Sequence, residues 1–255
     1  MEFQDILYEK KEGIVRITIN RPEVYNAFRT HTLKEISQAL EDAELDPEVR
    51  VVVLRGAGDK AFCTGGDVQE AKGGGYESEM DYWHTKVHNM IRGITKPVIA
   101  AVNGWAIGGG HILHVICDLS IAADTAKFGQ AGPRVGSFDA GFGASYLARV
   151  VGEKKAREIW FLCRTYTAQE ALEMGLVNKV VPLAELDKEV EKWCNEMMEL
   201  SPYALRFLKH AFNADTDHIS GFETMSMAAV RLFWGTEEAK QYKNRFMERK
   251  KEKGK

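Results

Sequence analysis

The chain has 255 residues, 45% hydrophobic and 28% charged, and its 34 basic and 37 acidic side chains give a net charge of −3. This is the composition of a folded protein rather than a disordered chain, and at this length a core forms without disulfide or metal staples. The near-neutral total argues against affinity for bulk nucleic acid, which needs a basic face to displace counterions, and no apolar run nears the ~18 residues of a membrane span.

In chain order, the N-terminal MEFQDILYEKKEG is charged and lacks the apolar core of a signal peptide. Ile14-Val-Arg-Ile-Thr-Ile19 alternates as a half-buried strand does, and Asn20-Arg-Pro22 ends it. Leu33, Ile36, Leu40 and Ala43 have helical spacing over 30–46, stopped by Asp46-Pro47. Val51–Leu54 and Val98–Val102 are continuous apolar runs, typical of strands buried on both faces. Residues 79–92 predict a helix, and Gly108-Gly-Gly110 opens another that runs through Ile116. Leu119–Ala122 predicts a strand, 153–163 and 168–174 predict helices, and Leu176–Val181 reads as strand. From Leu183 onward the pattern is helical, with a break at Ser201-Pro202. Strands alternating with helices predict an α/β chain with a parallel sheet, a core over 1–195 and a helical C-terminal region over 196–255. Cysteines 63, 117, 163 and 194 form no CxxC pair and no zinc-finger spacing, and they read as reduced thiols of a cytoplasmic protein.

Three glycine-rich segments are candidates for chemistry. Phe62-Cys-Thr-Gly-Gly-Asp67 follows the first buried strand, and Trp105-Ala-Ile-Gly-Gly-Gly110 follows the second. A strand feeding a glycine turn and then a helix leaves backbone N–H groups unpaired at the positive helix end. One N–H from each loop would hold a developing oxyanion; tight turns alone would also account for the glycines. GxxxxGK[ST], GxGxxG and GxSxG are all absent, which excludes the common nucleotide loops and the nucleophile elbow. The third segment, Phe128–Gly143, carries Gln130, Ser137 and Asp139 among glycines and apolar residues. A carboxyl in such surroundings keeps its proton to higher pH and can work as acid or base, or Asp139 can cap the helix starting near Phe142.

Taken together, these segments resemble the crotonase (enoyl-CoA hydratase/isomerase) superfamily over essentially the whole chain. Ile19-Asn-Arg-Pro22, Lys96-Pro97-Val98, Cys117-Asp118, Phe128-Gly129-Gln130 and Ala171–Val177 match as well. The resemblance implies a spiral of ββα units followed by a helical trimerisation region, an acyl-CoA substrate, and two backbone N–H donors to a thioester enolate, Gly66 and Gly109. It also shows departures. Hydratases of the family place one catalytic Glu just after the triple glycine and another two residues after the Gln of the FGQ segment. Here those positions are Ile112 and Gly132, neither of which can move a proton.

Gly129–Gly143 and Ala148–Trp160 are similar to one branch, the naphthoyl-CoA synthases and the 2-ketocyclohexanecarboxyl-CoA hydrolases. The first close a ring by intramolecular Claisen (Dieckmann) condensation, and the second open one with water. By this resemblance Ser137 and Asp139 handle protons on the second carbonyl, and Tyr76 contacts substrate. Gln130, Gly132 and Trp160 match a site that holds bicarbonate as base. Ala131 stands where the synthases have a threonine, and Trp234 where they have a tyrosine. A non-catalytic RNA-binding homologue is a third reading, favoured only by the basic tail.

That tail, residues 240–255, has eight basic and two acidic side chains, so it carries +6 and the rest of the chain −9. The resemblance assigns Phe246 and Arg249, one helical turn apart, to the adenosine end of coenzyme A. It adds Arg29, Lys60, Ala61 and Asp67 as further contacts, and it implies a homotrimer or dimer of trimers. A fraying terminus is the other reading of Lys250–Lys255. Apolar Phe222, Met225, Met227 and Leu232 suit an interface. His84, His88, His111 and His114 have helical spacings, but no carboxylate or cysteine nearby in sequence completes a ligand pattern, so no metal is expected.

Overall fold

The computed structural model describes residues 2–67, 70 and 78–253; Tyr76 lies outside them. The chain opens with a hairpin of β1 (Ile6–Lys11) and β2 (Ile14–Ile19), then α1 (Thr30–Leu45). Three similar turns of chain follow, each giving two strands and a helix: β3 (Val51–Gly56), β4 (Ala61–Cys63) and α2 (Ser78–Gly93); β5 (Val98–Val102), β6 (Trp105–Ile107) and α3 (Gly109–Val115); β7 (Leu119–Ala123), β8 (Lys127–Gly129) and α4 (Gly132–Val135). A π-helical turn over Gly141–Tyr146 leads into α5 (Leu147–Val151) and α6 (Glu153–Leu162). After these come β9 (Tyr166–Thr167), α7 (Ala168–Glu173), β10 (Lys179–Val181), α8 (Leu186–Met198), α9 (Pro202–Ala214), α10 (His218–Trp234) and α11 (Glu237–Lys253).

The first strand of each unit joins a six-stranded sheet in the order β1-β2-β3-β5-β7-β10, parallel except at β1–β2. The second joins a smaller sheet, β4-β6-β8-β9, parallel except at β8–β9. This is the α/β spiral of ββα units with a helical C-terminal region. The large sheet is apolar on both faces, as continuous runs require. Val51, Val53, Ile99, Ala101 and Ile121 pack under Leu186, Val190 and Cys194 of α8. Val52, Leu54, Ala100 and Val102 face α1, α2 and the small sheet.

Most of the expected elements stand within a residue or two. The strand expected over Leu176–Val181 is confined to Lys179–Val181, because Leu176 and Val177 donate back to the Ala171 carbonyl in a turn. The C-terminal helical stretch breaks again between α10 and α11 at Gly235 and Thr236. The core boundary expected at residue 195 falls inside the last turn of α8. Among the described residues no helix is long and apolar enough to cross a membrane.

Candidate active site

The small sheet explains why segments far apart in sequence meet. Its strands β4, β6 and β8 are parallel neighbours, so the loops leaving their C-terminal ends lie side by side. These loops begin at Thr64, Gly108 and Gln130. A crevice at the carboxyl ends of parallel strands is where α/β folds hold ligands.

The first two loops touch. A Cβ on Gly65 would lie 2.9 Å from the Gly109 nitrogen, and one on Gly110 only 1.9 Å from the Cys63 carbonyl oxygen. Only glycine permits this approach, and Gly65 also has φ +88°. Gly66 forms a parallel bridge with Phe28, in which Phe28 N–H donates to Gly65 and Asp67 N–H donates to Phe28. That pairing turns the Gly66 N–H the other way. Gly109 is the first residue of α3, where an N–H has no intrahelical acceptor. Among the described residues neither N–H donates to a carbonyl. The turn that holds Gly66 thus lies against Gly109, the first residue of α3.

Asp139 lies near α3, where Gly143 packs against both it and Ile112. Its Oδ1 accepts the Gly143 N–H at 3.0 Å, while its buried Oδ2 has no partner. Burial first, and then the nearby Glu223 carboxylate, push the Asp139 carboxyl up to about 7. A Cβ on Gly143 would stand 2.9 Å from Asp139 Cγ and 2.9 Å from Ile112 Cδ1. Asp139 and Ile112 thus both pack against Gly143. Its segment also forms the π-helical turn, a distortion frequent at functional sites. Ser137 is half-buried, and its hydroxyl makes no hydrogen bond among the described residues.

Glu223, on α10, is fully buried. Its Oε2 accepts the Phe142 N–H at 3.1 Å, and its Oε1 lies 2.9 Å from His88 Nδ1 and 3.5 Å from His84 Nδ1. Burial opposes its charge, but the two imidazoles outweigh it and hold the carboxyl well below the usual range. Burial draws His88 down to about 4. His84 and His88 stack on one face of α2, ring centroids 4.0 Å apart. Gly141 is glycine because a Cβ there would meet Glu223 Oε2 at 2.3 Å. The sequence reading found no carboxylate for these histidines. The fold corrects this, bringing Glu223 to them from 135 residues away. His111 and His114 belong to the core: they bond Gln130 Nε2 and Ser120 Oγ, each at 3.2 Å, and burial draws His111 down to about 3.

The residues matched to bicarbonate are already engaged. Trp160 donates its indole N–H to the Gly143 carbonyl at 2.5 Å, and Gln130 faces His111. The space a side chain would take at Gly132 is filled by the Ser137 carbonyl, 2.6 Å away, and the Trp160 ring, 3.0 Å away. Ala131 adds no hydroxyl. As arranged, these residues do not fit a bound anion.

Of the residues matched to coenzyme A, Lys60 and Ala61 line a hollow of about 250 Å³ with Pro22, Tyr25 and Asn26. Asn26 and Asn103, both buried, hold the carbonyls of residues 56–61 and so shape it. Arg29 gives Nε and Nη2 to Asp5 at 2.7 and 2.8 Å. Asp67 pairs with Arg21 Nη2 at 2.9 Å. These pairs brace the loop. Phe246 and Arg249 lie on α11, half-buried and exposed, and among the described residues no hydrogen bond or ion pair links them to Arg29, Lys60 or Ala61.

The family model for enoyl-CoA hydratase/isomerase matches residues 9–255. Among solved structures, an enoyl-CoA hydratase/isomerase from Xanthobacter autotrophicus Py2 is 31% identical, with a TM-score of 0.84, over 93% of this chain and 91% of that one. An enoyl-CoA hydratase from Bacillus anthracis is 30% identical, with a TM-score of 0.78, over 96% and 97%. One from Mycobacterium avium subsp. paratuberculosis K-10 is 27% identical, with a TM-score of 0.87, over 97% of both chains.

Proposed function

Since this chain belongs to the enoyl-CoA hydratase/isomerase family, we propose that it holds an acyl-CoA thioester enolate on the Gly66 and Gly109 N–H groups and uses it to form a carbon–carbon bond. The first reading is a ring closure of the naphthoyl-CoA synthase type. The observation that carries it is Asp139: a buried carboxyl with an unpartnered oxygen, near Gly143 and Ile112, where Ile112 itself offers no acid. Asp139 holds a proton near neutral pH, so after the enolate carbon has attacked the second carboxyl group it can protonate the hydroxyl that leaves the tetrahedral adduct. Water leaves, and a ring ketone forms. Adding water across a simple enoyl thioester needs an acid and a base placed as a pair, and positions 112 and 132 supply neither.

One observation favours the runner-up, a ring-opening β-ketoacyl-CoA hydrolase: the Gln130–Gly132–Trp160 corner does not fit the base that many synthases bind. Incubation with o-succinylbenzoyl-CoA, following the naphthoyl chromophore with and without bicarbonate, tests the closure; 2-ketocyclohexanecarboxyl-CoA tests the opening. No product from the first sinks the synthase reading, and none from either sinks both.

We propose that Lys60, Ala61, Phe246 and Arg249 meet coenzyme A, and that copies assemble through α10. Phe222, Met225 and Leu232 are 45%, 57% and 79% exposed in the single chain, more apolar surface than an isolated helix face normally shows. A monomeric sedimentation value at micromolar concentration would contradict the assembly.

A further inference from the structure

With Asp139 given above to the departing hydroxyl, the enolate requires a second group that removes the α-proton. The side chain whose surroundings suit that task is His84. Its Nδ1 is buried at ion-pair distance, 3.5 Å, from Glu223 Oε1 without a hydrogen bond, so Nε2, on the opposite edge of the ring, faces away from the carboxylate. Nε2 has no hydrogen-bond partner among the described residues. The ring packs 5.8 Å from that of Phe28, and Phe28 Cζ lies so close to Gly109 that a Cβ there would meet it at 2.7 Å. One aromatic ring thus separates His84 from an oxyanion donor. His84 also bears on Asp139 electrostatically. His88 is completely buried behind it and, through Nδ1, steadies Glu223.

We propose that His84 is the α-proton acceptor of the acyl pocket, with Glu223 as its positioning carboxylate and His88 as the brace that keeps Glu223 in place. This rests on the enolate reading above. In the step, the α C–H bond breaks and its proton passes to His84 Nε2. The electron pair moves onto the thioester oxygen held by Gly66 and Gly109. The imidazolium is stabilised by Glu223, as carboxylate–histidine pairs do elsewhere. His84 and Asp139 then divide between them the base and acid roles that two glutamates fill in the hydratases.

The same three side chains bring ligand atoms within 4.8 Å of one another, so a metal is the competing occupant. The geometry favours the proton role. His88 Nδ1 and Glu223 Oε1 stand at 2.9 Å, a hydrogen-bond distance, whereas two ligands on one tetrahedral zinc at ~2.0–2.1 Å stand roughly 3.3 Å apart. Glu223 has in addition committed its second oxygen to a backbone N–H.

The test uses cyclohexanecarboxyl-CoA in D2O, with deuterium at the α-carbon read by mass spectrometry. His84→Gln should lower exchange by about 100-fold or more with little change in the KM for exchange. Glu223→Gln removes the carboxylate while keeping both rings. The other titratable groups around His84 are His88, from its own helix, and Asp139, from the 137–143 segment. That variant, made in an Asp139→Asn background so that Asp139 adds no titration of its own, should move the acidic limb of the pH–exchange profile down by about one pH unit or more, which a purely structural role would not do. Exchange by His84→Gln within about threefold of the unaltered protein, or an unmoved profile in Glu223→Gln, overturns the proposal. So does stoichiometric zinc in the purified protein whose removal abolishes exchange. An unaltered protein that binds the thioester but exchanges nothing refutes the enolate reading instead, and the two failures are thereby distinguished.

Discussion

Asp139→Asn should inactivate the protein and, above neutral pH, stabilise it. The folded chain holds the Asp139 proton up to about 7, against a reference of 3.8. Below about pH 3 both folded and unfolded chains keep the proton, and ionisation of the group costs nothing. As pH rises, the unfolded chain releases it first, and folding then requires proton uptake. Stability falls by roughly 1.4 kcal/mol per pH unit until the folded carboxyl also ionises. Above about pH 7 the full penalty remains, on the order of 4 kcal/mol. Asparagine does not titrate, and its oxygen can still accept the Gly143 N–H. Its amide would occupy the position of Oδ2, which has no partner, at a pH-independent cost of about 1–3 kcal/mol. The variant should therefore be equal or less stable at about pH 4.5 and more stable by about 1–3 kcal/mol at about pH 8. Urea unfolding followed by circular dichroism, at one protomer concentration across that range, would show the two stability curves crossing. A difference that stays the same at both ends refutes the burial argument for Asp139. Turnover should be lost at every pH while affinity for coenzyme A changes little.

Gly141→Ala would place a Cβ 2.3 Å from Glu223 Oε2 and 2.5 Å from its Cα; displacing α10 should cost about 3 kcal/mol or more, read as a lowered urea midpoint. Lys209→Met should cost about 2–3 kcal/mol. Its ammonium binds the carbonyls of Ile91 and Lys96 at 3.1 and 3.0 Å and Asp118 at 2.7 Å, and a change in midpoint of less than a third of that would show that α9 is held by other means. All four cysteines are free and buried, with Cys63 pushed up to about 12 and Cys194 to about 11 by burial. A thiol reagent should therefore label none of them in native protein and all of them in urea, and fast native labelling would contradict the packing.

Long elements were legible because each carries many residues of one period: α1 and β5 need no tertiary information. The small sheet was not. Ala61–Cys63, Trp105–Ile107 and Lys127–Gly129 are three residues each, too short for alternation to register, although the glycines following them marked where they end. β1 escaped because it is an edge strand with four of its six positions exposed, and it reads as a charged terminus. Gly66, Gly109 and Asp139 stand out in the sequence because the roles proposed for them depend on local backbone or local environment. Glu223 was missed for the opposite reason. It lies on a helix whose apolar residues attract attention as an interface, and its partners are on α2. The signal that could have found it is the spacing of Glu223, Ser226 and Val230, a narrow stripe on the face opposite Phe222 and Met225. The bicarbonate reading matched residue types one at a time, and no such match foretells that Trp160 and Gly132 fill each other's space.

α10 thus buries a mixed stripe, Ile219, Glu223, Ser226 and Val230, and leaves Phe222, Met225 and Leu232 pointing out. Only two of its inward side chains bury apolar surface, so its contact with the rest of its own chain is weaker than that of a fully apolar face. Its order then depends on cover for the outer face. Backbone amides of α10 should exchange with solvent deuterium faster as the protein is diluted, while those of the central strands β3 and β5 should not change. The histidine–carboxylate cluster, one member of which rides on this helix, would then lose its shape in dilute solution before the sheets loosen.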